Sequence, residues 1–300
     1  MKLIIILGPT ATGKTKLAAH LSYRMNGEII SADSRQVFKN MDIGTGKDLN
    51  DYIVNGTTIP SYLIDIKNAG EEFSVYDFQK EFINAYQTII AKNKTPVLCG
   101  GTGLYLESVI KQYNFIKVDR NDELRATLSR KSDEELNNIL RELKLVHNTT
   151  DSIDRERILR AIEIEEYGKL NPQYKNEMPL FNPVIFGINM ERNLVKEKIT
   201  NRLQERLKCG MIEEVKSLLD SSISPERLKY YGLEYKYITQ YLMHEISYDE
   251  MFSLLNIAIH QFSKRQMTWF RRMEKNGILI NWIDGALPLE DKVQFIINKI

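Results

Sequence analysis

Apolar residues along this chain fall into two rhythms. Strand-length apolar runs at residues 3–7, 96–99 and 184–188, the partly polar stretch 28–32, and a further candidate at 61–66 read as buried strands. Elsewhere apolar residues recur every three or four positions, and this spacing predicts amphipathic helices over 14–25, 73–92, 104–111, 154–167, 194–208, 212–220, 235–241 and 248–275. Ser74 stands where an N-cap belongs, and Gly168 where the 154–167 helix should stop. Residues 172–183, with proline at both ends, read as a loop. Strands that alternate with helices predict an α/β fold, a parallel sheet flanked by crossover helices. Residues 119–145 are charged, helical in period and free of strand signals, so they read as a helical insertion. The expected organisation is a discontinuous core, 1–114 and 150–300, whose C-terminal part is mostly helical, interrupted by an insertion at 115–149.

The first predicted strand runs directly into Gly8-Pro9-Thr10-Ala11-Thr12-Gly13-Lys14-Thr15. The spacing G-x-x-x-x-G-K-T is complete, with a strand before it and a helix after it, as in a P-loop. In such a loop the main-chain N–H groups, the helix N-terminus, Lys14 and Thr15 converge on a phosphate group. A P-loop NTPase-like sheet and a di- or triphosphate ligand follow. Ligands of open α/β sheets bind at the carboxyl ends of strands, and two more loops should project there: Asp33-Ser34-Arg35-Gln36 and Gly100-Gly101-Thr102-Gly103. Asp33 suits either a carboxylate that positions Mg²⁺ through water or a general base for an incoming nucleophile, and the Thr15 hydroxyl suits a Mg²⁺ ligand. The glycines at 100, 101 and 103 permit a tight turn and close approach of the backbone to a ligand.

The 300 residues carry a net charge of only +1 with 43% hydrophobic content, which fits a well-cored protein and excludes a strongly basic, non-specific nucleic-acid binder. Basic residues nonetheless cluster locally, at Arg155, Arg157 and Arg160, and at Lys264, Arg265, Arg271, Arg272 and Lys275 around Trp269 and Phe270. Two cysteines and four scattered histidines indicate neither a disulfide framework nor a zinc site. The apolar runs are too short to span a membrane and the first residues lack signal-peptide zoning, so a cytoplasmic protein without a membrane partner is expected.

Eight ordered blocks carry a family resemblance: the P-loop, Ser31 to Phe38, Met41 to Thr45, Leu63 to Ile66, Phe73 to Phe78, Gly100 to Tyr105, Asp154-Arg155-Glu156-Arg157 with Arg160 and Ala161, and Lys264 to Arg271. Together they resemble bacterial tRNA dimethylallyltransferases. The resemblance implies transfer of a dimethylallyl group from dimethylallyl diphosphate to N6 of adenosine 37, in the anticodon loop of tRNAs reading codons that begin with U. It implies that Asp33 contacts N6, that Thr10 sits near the reacting groups, and that Thr102 lies in the substrate channel. It assigns tRNA contacts to Ser34, Arg35 and Gln36 beside Asp33, and to Glu156, Arg157, Ile158, Leu159 and Arg160. The insertion would clamp the anticodon stem, and one monomer would act on one tRNA. Trp269 and Phe270 are expected to pack the C-terminal helix rather than to stack on RNA.

The chain departs from the family pattern in its C-terminal third. Lys229 replaces an arginine that some members use for pyrophosphate, so Lys229 is the expected diphosphate contact, without the bidentate fork. Tyr230 to Lys236 and Ile259-His260-Gln261 also differ, and the usual Gly-Thr-Ala-Lys-Pro reads Gly44-Thr45-Gly46-Lys47-Asp48. Three other readings stay open on the residues alone: an isopentenyltransferase acting on AMP, ADP or ATP, a P-loop kinase of small molecules, and a non-catalytic RNA-binding module.

Overall fold

The computed structural model describes residues 2–113, 115–143, 154–171 and 178–300. Contacts divide the chain into two compact units, residues 1–112 with 179–300, and 113–178. In the first unit the elements run β1 (Lys2–Leu7), α1 (Lys14–Arg24), β2 (Gly27–Ala32), β3 (Ile53–Val54), β4 (Thr57–Thr58), β5 (Ser61–Tyr62), α2 (Val75–Ala91), β6 (Thr95–Gly100) and α3 (Gly103–Ile110). The second unit contributes α4 (Asp122–Leu128), α5 (Asp133–Leu143) and α6 (Arg155–Leu170). The chain then returns with β7 (Asn182–Asn189), α7 (Arg192–Lys208), α8 (Met211–Asp220), α9 (Pro225–Tyr230), α10 (Leu233–Leu242), α11 (Tyr248–Lys275), β8 (Asn281–Asp284) and α12 (Leu289–Ile297).

Six strands form a parallel sheet in the order β5-β2-β6-β1-β7-β8. Strands covered on both faces read as continuous apolar runs, and Leu3 to Leu7 are accordingly all within 1% of full burial. On one face, Ile4 and Ile6 pack in a core with Leu17 and Leu21 of α1 and Val293 and Ile296 of α12. A second core is helical: Ile199 and Leu203 of α7 meet Met251 and Leu255 of α11, Tyr235 of α10, and Phe38 and Met41 from the stretch after β2. Register is what matters for function. Leu7 and Ala32 both pair with Gly100, so the loops that follow β1, β2 and β6 leave the sheet abreast at its carboxyl edge.

Several expected elements differ in extent. Only Ser61 and Tyr62 of the 61–66 run join the sheet, because Leu63 and Asp65 adopt positive φ (63° and 55°) and turn the chain out of the ladder. Gly168 does not end its helix, which continues to Leu170; glycine weakens a helix without obliging it to stop. The pattern gave no hint of α9, α12 or β8, or of the β3–β4 hairpin, although its turn, Asn55-Gly56, has positive φ at both residues, as a two-residue hairpin turn requires. The Ser74 cap is a full capping box with Asp77. Residues 172–177 of the expected loop, and 144–153 at the end of the expected insertion, lie outside the described residues.

The second unit is larger than the expected insertion, because it includes α6. Two short helices cannot bury their own leucines, and Leu128, Leu136 and Leu140 of α4 and α5 close a core with Ile158, Leu159 and Ile162 of α6. At its polar edge the fully buried side chain of Glu163 accepts hydrogen bonds from Arg125 (Nε at 2.6 Å, Nη2 at 3.1 Å), the Asn121 amide and Arg160. Burial pushes its carboxyl up, but these donors prevail and hold it below the usual range. Removing Glu163 leaves Arg125 with only Glu156 and Arg160 with only the Val118 carbonyl, so both cations lose their buried counter-charge. Glu163→Ala should therefore destabilise this unit by about 3 kcal/mol, read as lost hydrogen-exchange protection of α6 amides. Unchanged protection would contradict the role given to Glu163.

Candidate active site

The P-loop gets its shape from a few residues. Gly13 caps α1 in the left-handed region (φ 77°) with no side-chain hydrogen bond, and Ala11 also has positive φ (64°). The backbone at Gly8 lies so close to β7 that a Cβ there would sit 3.2 Å from the Ile188 carbonyl. Thr12 Oγ1 donates to the Pro9 carbonyl at 2.8 Å, and Lys14 Nζ donates to the same carbonyl at 2.6 Å. The loop amide of Thr10 donates to Gln266 Oε1 at 2.8 Å, and Gln266 Nε2 donates to the Gly101 carbonyl at 2.9 Å, so α11 ties the P-loop to the glycine-rich turn. Arg202 of α7 donates to Thr10 Oγ1.

Asp33 follows β2 immediately. One of its carboxylate oxygens accepts from the Arg35 amide at 2.9 Å, and Ser34 N–H donates to Thr102 Oγ1 at 3.1 Å. Thr102 thus braces the loop that carries Asp33. Gln36 Nε2 donates to the Gly46 carbonyl at 3.0 Å. The glycine-rich turn packs tightly within the protein, and Gly100 and Gly101 also line the cavity that holds Asp33. A Cβ at Gly100 would lie 2.2 Å from the Ala32 carbonyl, at Gly101 2.4 Å from Gln266, and at Gly103 2.5 Å from the Trp269 ring. Gly100→Ala should therefore push Ala32 aside and Asp33 with it, lowering stability by about 2 kcal/mol and activity with it. A variant that melts and turns over like the wild type would refute this.

A single cavity gathers these pieces, lined by Thr10, Lys14, Thr15, Asp33, Asp48 and Arg202 among others. Its cations are crowded. Burial, with the like charge of Arg202, brings the Lys14 ammonium down to about 8, although Asp33 opposes the shift. Burial and Arg206 bring Arg202 down to about 10. Arg206 in turn holds Asp48, with Nη2 3.0 and 3.1 Å from its two oxygens. Burial and neighbouring Asp48 raise the Asp51 carboxyl, and burial raises Glu234. The Cys99 thiol in the wall is pushed up by burial to about 12 and is chemically quiet. A site in which a lysine and an arginine are both desolvated gains from an anion of high charge density.

The wall formed by Thr45, Gly46 and Asp48 is fixed from outside the sheet. Glu214 of α8 accepts from three successive amides, those of Asp42, Ile43 and Gly44, at 2.7–3.0 Å, and from the Tyr235 hydroxyl at 2.7 Å. Lys47, whose side chain is fully buried, donates to the Phe38 carbonyl at 2.6 Å and pairs with Asp42 at 2.8 Å and with Asp65.

Of the expected site residues, Thr10, Ala11, Gly13, Lys14 and Thr15 of the P-loop, Asp33 and Gln36 come together in the cavity, with Thr102 bracing the Asp33 loop, whereas Gly8, Pro9 and Thr12 do not line it. Lys229 does not line it; its Nζ is 2.6 Å from Glu245. The α7 cation that meets the P-loop is Arg202, and Arg206, four residues on along the same face, holds Asp48 at the cavity wall. The sequence reading passed over them because a helix rich in Lys, Arg and Glu looks like a solvated face. The available signal was their position alongside the apolar stripe Val195, Ile199, Leu203. On α6, Ile158 and Leu159 are buried in their unit's core, Glu156 pairs with Arg125 at 2.6 Å, and Arg160 is engaged by Glu163 and the Val118 carbonyl. Arg157 is exposed and makes no ion pair among the described residues. Phe270 is fully buried and Trp269 donates to Glu107 at 2.9 Å, so both pack α11 as expected.

Hard oxygen donors suited to Mg²⁺ line the cavity: the Thr15 hydroxyl and the carboxylates of Asp33, Asp48 and Asp51. No group of three or more acidic, histidine or cysteine side chains among the described residues is close enough to hold a metal alone. The residues present therefore fit an ion that shares its coordination with phosphate oxygens. None of the described helices is long and apolar enough to cross a membrane.

Comparison with known proteins places the chain. The family profile described as IPP transferase matches residues 36–273. Proteins named tRNA dimethylallyltransferase 2 from Bacteroides fragilis and Phocaeicola vulgatus are 54% and 55% identical, each over 99% of this chain and 97% of that protein. Among solved structures, the tRNA isopentenylpyrophosphate transferase of Bacillus halodurans matches with a TM-score of 0.72 at 32% identity, covering 99% of this chain and 95% of that one. A eukaryotic dimethylallyltransferase acting on tRNA shares the fold, with a TM-score of 0.72 at 21% identity over 95% of this chain and 74% of that one.

Proposed function

The chain belongs to the tRNA dimethylallyltransferase family, and from that premise we propose that it transfers a dimethylallyl group from dimethylallyl diphosphate to N6 of adenosine 37 in tRNA, releasing pyrophosphate. One observation carries the reading: Asp33 shares a single cavity with the P-loop and Arg202. The cations suit a leaving diphosphate and the carboxylate suits an incoming amine.

Lys14, Arg202 and the loop amides bind the diphosphate and neutralise charge that grows on it as the allylic carbon–oxygen bond breaks. Mg²⁺, held by Thr15 and phosphate oxygens, would add Lewis-acid stabilisation of the same leaving group. The adenine amino group is a weak nucleophile, because its lone pair is delocalised into the ring. Asp33 takes its proton as the carbon–nitrogen bond forms. The backbone N–H of Arg35 fixes one oxygen of Asp33 and leaves the other for N6. Thr10, its hydroxyl held by Arg202, and Thr102, braced on Ser34, order the two sides of the reacting groups. The target base must leave its stack to enter the cavity. Ser34, Arg35 and Gln36 meet the anticodon loop beside it, and exposed Arg157 on the second unit takes a backbone phosphate. The enzyme works as a cytoplasmic monomer on one tRNA.

The test is incubation of the purified protein with Mg²⁺, dimethylallyl diphosphate and either unmodified tRNA or AMP, followed by mass spectrometry of the nucleosides. A five-carbon adduct on adenosine 37 that Asp33→Ala abolishes supports the proposal. An adduct on AMP alone, or on neither, overturns it.

A further inference from the structure

A second cavity flanks the P-loop. Thr12 and Gly13 form one side, Lys16 of α1, Lys198 of α7 and Lys292 of α12 contribute ammonium groups, and Leu289 and Met190 supply apolar wall. Gly13 belongs to both this cavity and the one that holds Asp33, so the two adjoin at the P-loop itself.

The three lysines are poorly compensated. Lys16 and Lys198 make no ion pair among the described residues, and no acidic side chain lines the cavity. Lys292 Nζ is spent on a neutral acceptor, the Gly285 carbonyl at 2.8 Å. Burial and the neighbouring charge of Lys198 hold its ammonium below the ordinary lysine range, opposed only by Asp284. Asp284 in turn accepts from the Ala286 amide at 2.9 Å. Lys16 and Lys198 are exposed and Lys292 half-buried, and an anion seated in the concavity would meet all three charges at once.

The placement of these lysines gives the anion a direction. Lys198, Arg202 and Arg206 recur at intervals of four residues on one face of α7, with about 6 Å of axial rise between successive members. Lys198 lines the outer cavity, Arg202 lines the inner one, and Arg206 holds Asp48 at the inner wall. Lys16 bridges the two as well, since its charge acts on Asp51 of the inner cavity. The row thus runs as a positive track past the P-loop, and its outer end is the lysine cluster.

We propose that Lys16, Lys198 and Lys292 form an outer anion subsite that captures a diphosphate group beside the P-loop and passes it along the α7 basic row to and from Lys14 and Arg202. This rests on the proposed diphosphate at the P-loop. The site raises the local concentration of a multiply charged ligand and so acts on association and release rates.

The test is stopped-flow binding of pyrophosphate with Mg²⁺ to the full-length protein at low and high ionic strength. It compares the wild type with Lys198→Ala/Lys292→Ala, with the charge-retaining Lys198→Arg/Lys292→Arg, and with Lys14→Met. The double alanine variant should associate about five- to tenfold more slowly at low salt, with the difference closing at high salt, while the arginine pair keeps the wild-type rate. Equal rates and equal salt dependence in wild type and alanine variant would overturn the subsite. So would unchanged pyrophosphate kinetics with a weakened affinity for tRNA, which would make the cluster an RNA-backbone contact. The Lys14→Met arm reads the P-loop separately: if it binds pyrophosphate as the wild type does, the diphosphate assignment itself fails.

Discussion

Asp33→Asn is expected to lower the single-turnover rate of dimethylallyl transfer by about a thousandfold. Asparagine keeps the shape and the acceptor oxygen that the Arg35 N–H uses at 2.9 Å, so the loop should stay in place. What disappears is the basic oxygen that takes the N6 proton and the negative charge near Lys14 and Arg202. The same substitution should therefore leave tRNA affinity within about threefold of wild type and tighten pyrophosphate binding, because an anion beside the phosphate site has gone. A rate loss below about tenfold would mean that Asp33 is not the base, and a parallel loss of tRNA affinity would make it a binding residue.

Lys14→Met should abolish diphosphate binding and yet stabilise the ligand-free protein. Bringing a lysine from its ordinary 10.5 down to about 8 corresponds to at most about 3 kcal/mol of folded-state penalty, less to the extent that water reaches this partly exposed residue. The sign follows from proton counting. Below pH 8 the group is charged in both folded and unfolded chains and the full penalty applies. Between pH 8 and 10.5 the unfolded chain holds the proton that the folded one has released, so wild-type stability rises with pH. The melting-temperature advantage of Lys14→Met should thus be several degrees at pH 7 and fade across that window. Pyrophosphate affinity of the wild type should fall as pH climbs above 8, with proton uptake on binding visible by calorimetry in buffers of different ionisation enthalpy. A variant no more stable than wild type at pH 7 would show that the Pro9 carbonyl, 2.6 Å from Lys14 Nζ, already offsets the burial.

Much of the catalytic edge was legible because it is local in sequence. A P-loop needs only its spacing and its flanks, and Asp33 announces itself by following a strand-length stretch, residues 28–32. The residues that resisted reading are those whose meaning depends on distant partners. Arg202 and Lys229 are both cations on helices, and only the packing of α7 shows that the first lines the cavity while the second meets Glu245. The glycines at 100, 101 and 103 signal close approach, but a missing Cβ does not name the neighbours, here Ala32, Gln266 and Trp269. The extent of the second unit is illegible for a related reason: the apolar face of α6 looks the same whether it covers a sheet or the leucines of α4 and α5.

Glu214 gives the molecule a property that no residue of the cavity has. One carboxylate pins three consecutive amides of the 42–44 stretch, and the Gly46 carbonyl downstream holds Gln36. Two walls of the same pocket are thereby hung from different supports: Asp33 from the sheet, and the stretch leading to Thr45 and Gly46 from α8, with Asp48 tied to α7. Pocket width is then a mechanical variable, set by how α8 and α10 seat against each other. Sequence changes in those helices can widen or narrow the reaction space without altering any group that touches a substrate.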